Sequence, residues 1–371
     1  MQTHYHIFHE DFSKRAGTER VLVNIINCLL SSGRNKITLL LASNEKPLVF
    51  GLDALPIEVF YLCNGDKEDN RFKLLGYYKS LFYSTKKYFN SLSTDKVNVV
   101  IGANHLLSAC AFFAIKNKDN FRIIACEHFS FHIFGLFSKI LRSFFYSKIC
   151  VVTLTDRDRD IIREKYNPKF CIAIPNAIPF SAKPYKGIDS KKILAVGRYS
   201  YQKGFDSLIK AYAPLEKEFP EWELYIIGDD YGERTNMDSI ITNYGLSNVY
   251  LEPSTANIEL EYDNSSFFVM SSRFEGFPMV LLEAIGSGLP LISFDCPTGP
   301  RELIDSSNGI LVKDQSIEEL TAAMRTLMLN RGLRLDFARG AEKKSLMYSM
   351  EVINKKWENL FLKVESESYN G

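Results

Sequence analysis

The chain has 371 residues, 46% hydrophobic and 24% charged, which reads as globular and soluble and is long enough for two α/β domains with separate cores. The net charge of +1 conceals a split: residues 1–185 hold 25 Lys and Arg against 16 Asp and Glu, and residues 186–371 hold 20 against 28. The basic first half is expected to meet something anionic.

The seven cysteines form no C-x-x-C pair and sit mostly in apolar runs, which points to free thiols in a reducing compartment. Met1 to His6 lacks a charged start followed by an apolar core, so no signal peptide is expected there. Val97 to Ile115 runs 19 residues without a charge, but Gly102-Ala103-Asn104-His105 divides it into a strand and a helix rather than a membrane span.

In chain order, His4–His9 predicts a strand, a loop follows to Gly17, and Thr18–Leu30 predicts an amphipathic helix. Strands follow at Ile37–Ala42 and Glu58–Leu62. Arg71 to Leu92 predicts a helix with Arg71, Lys73, Lys79, Lys86 and Lys87, no acidic residue, and interspersed Phe and Tyr. Such a helix suits the surface of an anionic membrane; the alternative is a solvated helix with its aromatics packed inward. Phe131 to Lys148 repeats the composition, with Phe134, Leu136, Phe137, Phe144 and Phe145 beside Lys139, Arg142 and Lys148.

Val97–Ala103 and Arg122–Glu127 predict central parallel strands, covered by helices on both faces. His128 follows the second and His105 the first, where open α/β sheets gather their ligands. Lys148–Leu154 predicts a strand and Phe170–Pro175 another. The helix Asp156–Tyr166 between them carries charges of alternating sign and reads as a solvated face. Pro175 to Gly187 reads as a linker.

The second half restarts the alternation: strands at Ile193–Gly197, Leu224–Gly228, Val249–Glu252, Phe267–Ser272 and Leu291–Phe294, with a helix at Phe205–Phe219. After Phe267–Met270 the chain turns through Arg273-Phe274-Glu275-Gly276-Phe277. Pro278 then suits a first helical position, and Met279–Ile285 predicts an apolar helix closed by Gly286-Ser287-Gly288. Glu283 inside that apolar helix and Glu275 in the loop before it are out of place for structural carboxylates. Either Glu283 finds an internal Arg and Glu275 caps the helix, or the two belong to a site.

Glu275-Gly276-Phe277-Pro278, with Glu283 eight positions after Glu275, resembles the paired-glutamate motif of retaining family 4 glycosyltransferases. Gly197-Arg198-(x)4-Lys203-Gly204 completes that pattern. The resemblance extends over most of the chain. It implies an α/β fold of two Rossmann-like domains facing a central cleft, called GT-B. Residues 1–178 would form the acceptor-binding domain, 188–350 the nucleotide-sugar domain, and 351–371 a helix crossing back to the first.

It further implies that Arg198 and Lys203 stabilise the leaving diphosphate, that Glu283 holds the ribose, and that Glu275 approaches the sugar ring. Gly276, Phe277 and Pro278 would line the donor site, and His128 would touch the donor sugar. Gly17, in Gly17-Thr18-Glu19-Arg20, resembles the small-residue loop that lets the backbone approach the donor, although Ala16 stands where the family shows a second glycine. Gly228-Asp229-Asp230 resembles the family's Gly-Asp turn, and Val249–Pro253 stands where relatives receive the base. Asp295 to Glu302 looks like the version in bacterial enzymes that build surface glycans from UDP-galactose or UDP-N-acetylgalactosamine.

The expected reaction is retaining transfer of a hexose or N-acetylhexosamine from a UDP-sugar to a lipid-linked or surface-polysaccharide glycan. No cofactor and no metal is expected, since no Asp-x-Asp stands where a metal would be needed, and no nucleic-acid partner is expected. The expected location is the cytoplasm, at the inner face of the membrane. The alternatives are a nucleotide-sugar epimerase on the same fold and a donor-binding partner without catalysis.

Overall fold

Apolar runs broken by turn residues become parallel strands because helices cover both of their faces. The computed structural model describes residues 3–13, 17–34, 36–43, 46–63, 71–93, 95–116, 119–128 and 135–366, with the backbone alone for 71–75. The chain divides into two compact units, Met1–Pro175 with Ile353–Gly371, and Asn176–Val352.

The first unit runs β1 (His4–His9), α1 (Gly17–Ser31), β2 (Ile37–Leu41), β3 (Glu58–Tyr61), α2 (Arg71–Ser91), β4 (Asn98–Gly102), α3 (His105–Ala114), β5 (Phe121–Glu127), α4 (Leu136–Ser143), β6 (Cys150–Thr153), α5 (Asp156–Tyr166) and β7 (Phe170–Ala173). Its sheet has the order β3-β2-β1-β4-β5-β6-β7, parallel throughout. Phe8, Val100, Phe112, Phe145 and Tyr146 anchor one core face.

The second unit runs β8 (Lys192–Val196), α6 (Phe205–Glu218), β9 (Glu223–Ile227), α7 (Arg234–Tyr244), β10 (Val249–Glu252), α8 (Ile258–Asp263), β11 (Phe267–Met270), α9 (Met279–Gly286), β12 (Leu291–Phe294), α10 (Pro300–Leu303), β13 (Gly309–Val312), α11 (Ile317–Leu329) and α12 (Arg331–Ser345). Its sheet has the order β10-β9-β8-β11-β12-β13, also parallel. Tyr212, Trp222, Phe267, Phe294 and Leu327 lie in its main core. The last helix, α13 (Met350–Ser366), belongs to the first unit from Ile353 onward. There Glu365 accepts from Tyr5 Oη at 2.6 Å and from Arg34 at 2.9 and 3.0 Å.

Each sheet grows outward from its first strand and then restarts on that strand's other side. This leaves a topological switch point between β1 and β4, and another between β8 and β11, where open α/β sheets receive ligands.

Four details depart from the sequence reading. β13 was not expected, yet it pairs in register with β12 from Leu291↔Gly309 to Phe294↔Val312. Pro278 is the N-cap of α9, with extended backbone (ψ 107°), rather than its first helical residue. The charged face of α5 is not wholly solvated, because Asp158 is buried and closes a reciprocal cap with Thr155, at 3.0 Å in each direction. The stretch read as a linker is packed on the second unit: Lys183 N donates to Gly286 O at 2.7 Å, and Tyr185 Oη to Ser266 O at 2.7 Å.

Candidate active site

At the β8–β11 switch point two loops are stitched into one body. Gly204 follows the turn that ends β8's loop, with a left-handed φ of 62°, and a Cβ there would lie 2.2 Å from Ser271 O. Only glycine lets that turn press onto the end of β11. Ser271 Oγ donates to Lys203 O at 3.0 Å, Arg273 N to Gln202 O at 2.8 Å, and Gln202 Nε2 to Phe274 O at 3.0 Å. The Arg273 guanidinium forks onto both carboxylate oxygens of Asp206 at 2.9 Å and lies 4.2 Å over the Tyr201 ring.

This brace brings Lys203 to Glu275. The Lys203 ammonium donates to Glu275 Oε1 at 2.7 Å, with side chains 13% and 9% exposed. The lysine stem lies so close to Gly197 that a Cβ there would meet it at 3.0–3.3 Å, which accounts for glycine in front of Arg198. Thr298 Oγ1 donates to the Glu275 carbonyl at 2.6 Å and fixes the carboxylate's own backbone. Glu275 therefore does not cap α9; its charge is on Lys203. Beside it, burial with the Glu275 charge pushes the Cys296 thiol up to about 12, leaving it unreactive near neutrality.

Glu283 is 8% exposed in α9, and its Oε2 accepts from the buried Tyr262 Oη of α8 at 2.9 Å. One partner of Glu283 is thus a tyrosine from a separate helix. Phe277 is buried, its ring 6.2 Å from that of Tyr348, and Gly276 and Pro278 complete the loop that leads into α9. The first N–H groups of α9 lack intrahelical acceptors, as in any helix. Arg198 stands apart from the Lys203–Glu275 pair: it is exposed, its guanidinium is 5.1 Å over the Tyr231 ring, and no carboxylate among the described residues pairs with it. The site thus holds Lys203 and Arg273 engaged with carboxylates and Arg198 available to an anion. Sequence reading missed Tyr262, Thr298 and the Arg273–Asp206 brace. Arg273, two positions before Glu275, and Thr298, within the Asp295–Glu302 stretch, had a signal in their neighbourhood; Tyr262 and Asp206 had none.

In the first unit, His128 directly follows β5. Its Nε2 is buried without a partner among the described residues. Burial, with the charge of His9 adding to it, pushes its pKa down to about 4, so the ring is neutral at physiological pH. His105 is committed to a buried network. Arg142 forks onto Glu127 at 2.7 and 3.0 Å and donates to His105 Nδ1 at 3.2 Å, while His105 Nε2 contacts Ser138 Oγ at 3.0 Å. Gly17 is exposed and opens α1; Ala16 lies outside the described residues.

The two basic, aromatic segments diverge. In α2, Leu81 and Phe89 are buried and Tyr77, Tyr78 and Tyr88 pack against the core, while Lys79 and Lys87 are exposed. The side chains of Arg71 and Lys73 lie outside the described residues, as does Phe134. In α4 most apolar side chains are exposed instead: Leu136 is 74% exposed and Phe137 73%, with Ile140 and the C-cap Phe144 also exposed, while Leu141 packs against the core. An open groove of about 430 Å³ is lined by Tyr83, Lys86, Lys87, Asn90, Ser91 and Lys116. No helix among the described residues is long and apolar enough to cross a membrane.

Residues 180–344 match the family model of glycosyl transferases group 1. The chain is 29% identical over 358 residues to an uncharacterized glycosyltransferase of Haemophilus influenzae, covering 93% of this chain and 96% of that one. It is also 29% identical over 360 residues to the amylovoran biosynthesis glycosyltransferase AmsD of Erwinia amylovora, covering 95% and 97%. The solved lipopolysaccharide outer core galactosyltransferase WaaB shares the fold at a TM-score of 0.77, with 19% identity over 97% of this chain and 99% of that one. With its two parallel Rossmann-like sheets the chain has the GT-B fold, and the unit that carries Lys203, Glu275 and Glu283 is the part that matches glycosyl transferases group 1.

Proposed function

We propose that the chain is a retaining hexosyltransferase. It moves a hexose or N-acetylhexosamine, galacto-type favoured, from a UDP-sugar to a lipid-linked or surface-polysaccharide glycan, without a metal. The observation that carries this reading is the Lys203–Glu275 pair at the β8–β11 switch point. An arriving diphosphate competes for the Lys203 ammonium, with the exposed Arg198 guanidinium as its second cation. Both charges then stabilise the negative charge that develops as the glycosidic bond breaks. Glu275, released from lysine, faces the sugar. Glu283, oriented by Tyr262, holds the ribose hydroxyls. Gly17, Gly276, Phe277 and Pro278 line the donor's path, and His128 contacts its sugar. The relative named for amylovoran biosynthesis supports a surface-glycan acceptor.

We further assign the enzyme to the inner face of the cytoplasmic membrane. The outward apolar face of α4 would enter the interface, while Lys79, Lys86, Lys87 and Lys116 meet anionic headgroups. The test is incubation with a panel of UDP-sugars and a lipid-linked glycan extract, reading free UDP and the product anomer by NMR, with EDTA in a parallel arm. A β-linked product from an α-donor overturns retention; turnover lost to EDTA and restored by Mn²⁺ overturns metal independence.

A further inference from the structure

The loops that follow β8 and β9 are joined beyond the ends of their strands. Gly197 N donates to Ile227 O at 2.9 Å, Tyr199 N to Asp229 O at 2.8 Å, and Tyr231 N back to Tyr199 O at 2.9 Å, so Tyr199 and Asp230 pair in parallel as the strands do. The buried Tyr199 hydroxyl ties this seam to the sheet, 2.8 Å from Ile226 O and 2.6 Å from Glu252 O. Arg198 belongs to one loop of the seam and Tyr231 to the other, and the Arg198 guanidinium lies 5.1 Å from the centre of the Tyr231 ring.

The two aspartates before Tyr231 are turned to other partners. Asp229 Oδ1 accepts from Ser254 Oγ at 2.6 Å, and Asp230 Oδ1 accepts from the backbone N–H groups of Gly232, Glu233 and Arg234 at 2.8–3.1 Å. A ring is thus what meets Arg198, and it differs from a carboxylate in what it leaves open. A carboxylate would occupy the in-plane N–H donors of the guanidinium, and an arriving phosphate would have to displace it. The face of a ring attracts the charge but offers no lone pair, so the N–H fork stays open to a phosphate. Lys203, by contrast, is already engaged with Glu275.

We propose that Tyr231 is a positioning residue for the nucleotide: its ring holds the Arg198 guanidinium ready for the diphosphate without using its donors. This inference rests on the diphosphate role given to Arg198 above. A long, exposed side chain held by the ring loses part of its rotamer freedom before the ligand arrives, and binding then costs less. One exposed cation–π contact corresponds to about two- to fivefold in affinity. Tyr231 is 62% exposed, so its replacement removes no core contact.

The test is UDP binding by calorimetry on the full chain, with ¹⁵N-labelled arginine reporting the Arg198 Nε–H signal, assigned with Arg198→Ala. The ring displaces that signal in the wild type. Tyr231→Ala should return it to the position of a solvated arginine and weaken UDP binding about two- to fivefold, whereas Tyr231→Phe, which keeps the ring, should leave both as in the wild type. The effect must also run through Arg198: in an Arg198→Ala background, Tyr231→Ala should cost nothing further. Wild-type UDP affinity in Tyr231→Ala, beside weak binding by Arg198→Ala, overturns the positioning role alone, as does a Tyr231→Ala loss that persists undiminished without Arg198. A wild type that does not bind UDP, or an Arg198→Ala that binds it as the wild type does, overturns the diphosphate role of Arg198 and this inference with it. Coupling between Tyr231 and Arg198 in UDP binding, with no UDP-sugar turned over, keeps the positioning role and removes the transferase reading.

Discussion

Lys203→Ala separates the chemistry of the candidate site from its contribution to the fold. The substitution leaves Glu275 with its charge and no ammonium, in a place where its side chain keeps 9% of its surface. Removing one partner of a fully buried pair costs about 3–5 kcal/mol, and the residual exposure here lowers that to about 2–3. At about 2–4 °C per kcal/mol for a unit of this size, the melting temperature of the second unit should fall roughly 4–12 °C. The kinetic effect has another origin. Losing one preorganised group aimed at the developing charge should lower kcat by roughly 10²- to 10³-fold. The double variant Lys203→Ala/Glu275→Gln should recover most of the melting temperature, since no buried charge is left unpaired, and none of the rate. The assay is free UDP released at saturating donor, beside a thermal melt of each variant. A Lys203→Ala enzyme within tenfold of the wild-type kcat would refute the assignment. A double variant that regains turnover would show that the loss came from the stranded carboxylate and not from the missing cation.

The other predictions address the remaining groups. Glu283→Gln should raise KM for the donor while kcat moves less, because the ribose does not change during transfer; lost turnover at unchanged UDP affinity would exchange the roles of the two glutamates. Burial holds His4, His105 and His128 at about 4 and His6 at about 3, against an ordinary 6.5. The unfolded chain therefore binds more protons between pH 6.5 and 4, and stability falls as pH falls through that window, by about 2 kcal/mol per histidine at pH 5. All six histidines precede residue 133, so chemical melts at pH 7.5 and 5.0 should show the first unit weakening alone; equal loss in the second unit would contradict this. The protein should sediment with anionic vesicles at low salt and release at high salt. Lys79→Glu with Lys86→Glu and Lys87→Glu should weaken binding by 10²-fold or more, at about 1 kcal/mol per lysine, and Phe137→Asp should also weaken it. A wild type that ignores such vesicles removes the membrane assignment.

The alternation of apolar runs and turn residues was enough to place most strands near their observed positions, because strand and helix periodicity are properties of a few consecutive residues. The motif residues were legible for a related reason. Gly197 answers a local steric demand, the stem of Lys203 six positions on, and a glutamate in an apolar helix is conspicuous in any context. What each charge meets was not legible. Lys203 and Glu275 are 72 positions apart and touch only because β8 and β11 lie side by side with Gly204 pressed onto Ser271. Tyr262 reaches Glu283 from a separate helix, and His9 finds Glu19 across a loop whose length says nothing of direction. The alternating charges of α5 misled for the same reason, since Asp158 turns inward to a threonine that the pattern does not weigh. Likewise α2 and α4 share a composition, yet one packs its aromatics into the core and the other turns them outward. Composition and period are written along the chain, whereas the partner of a buried polar group depends on which distant segments the sheet brings into register.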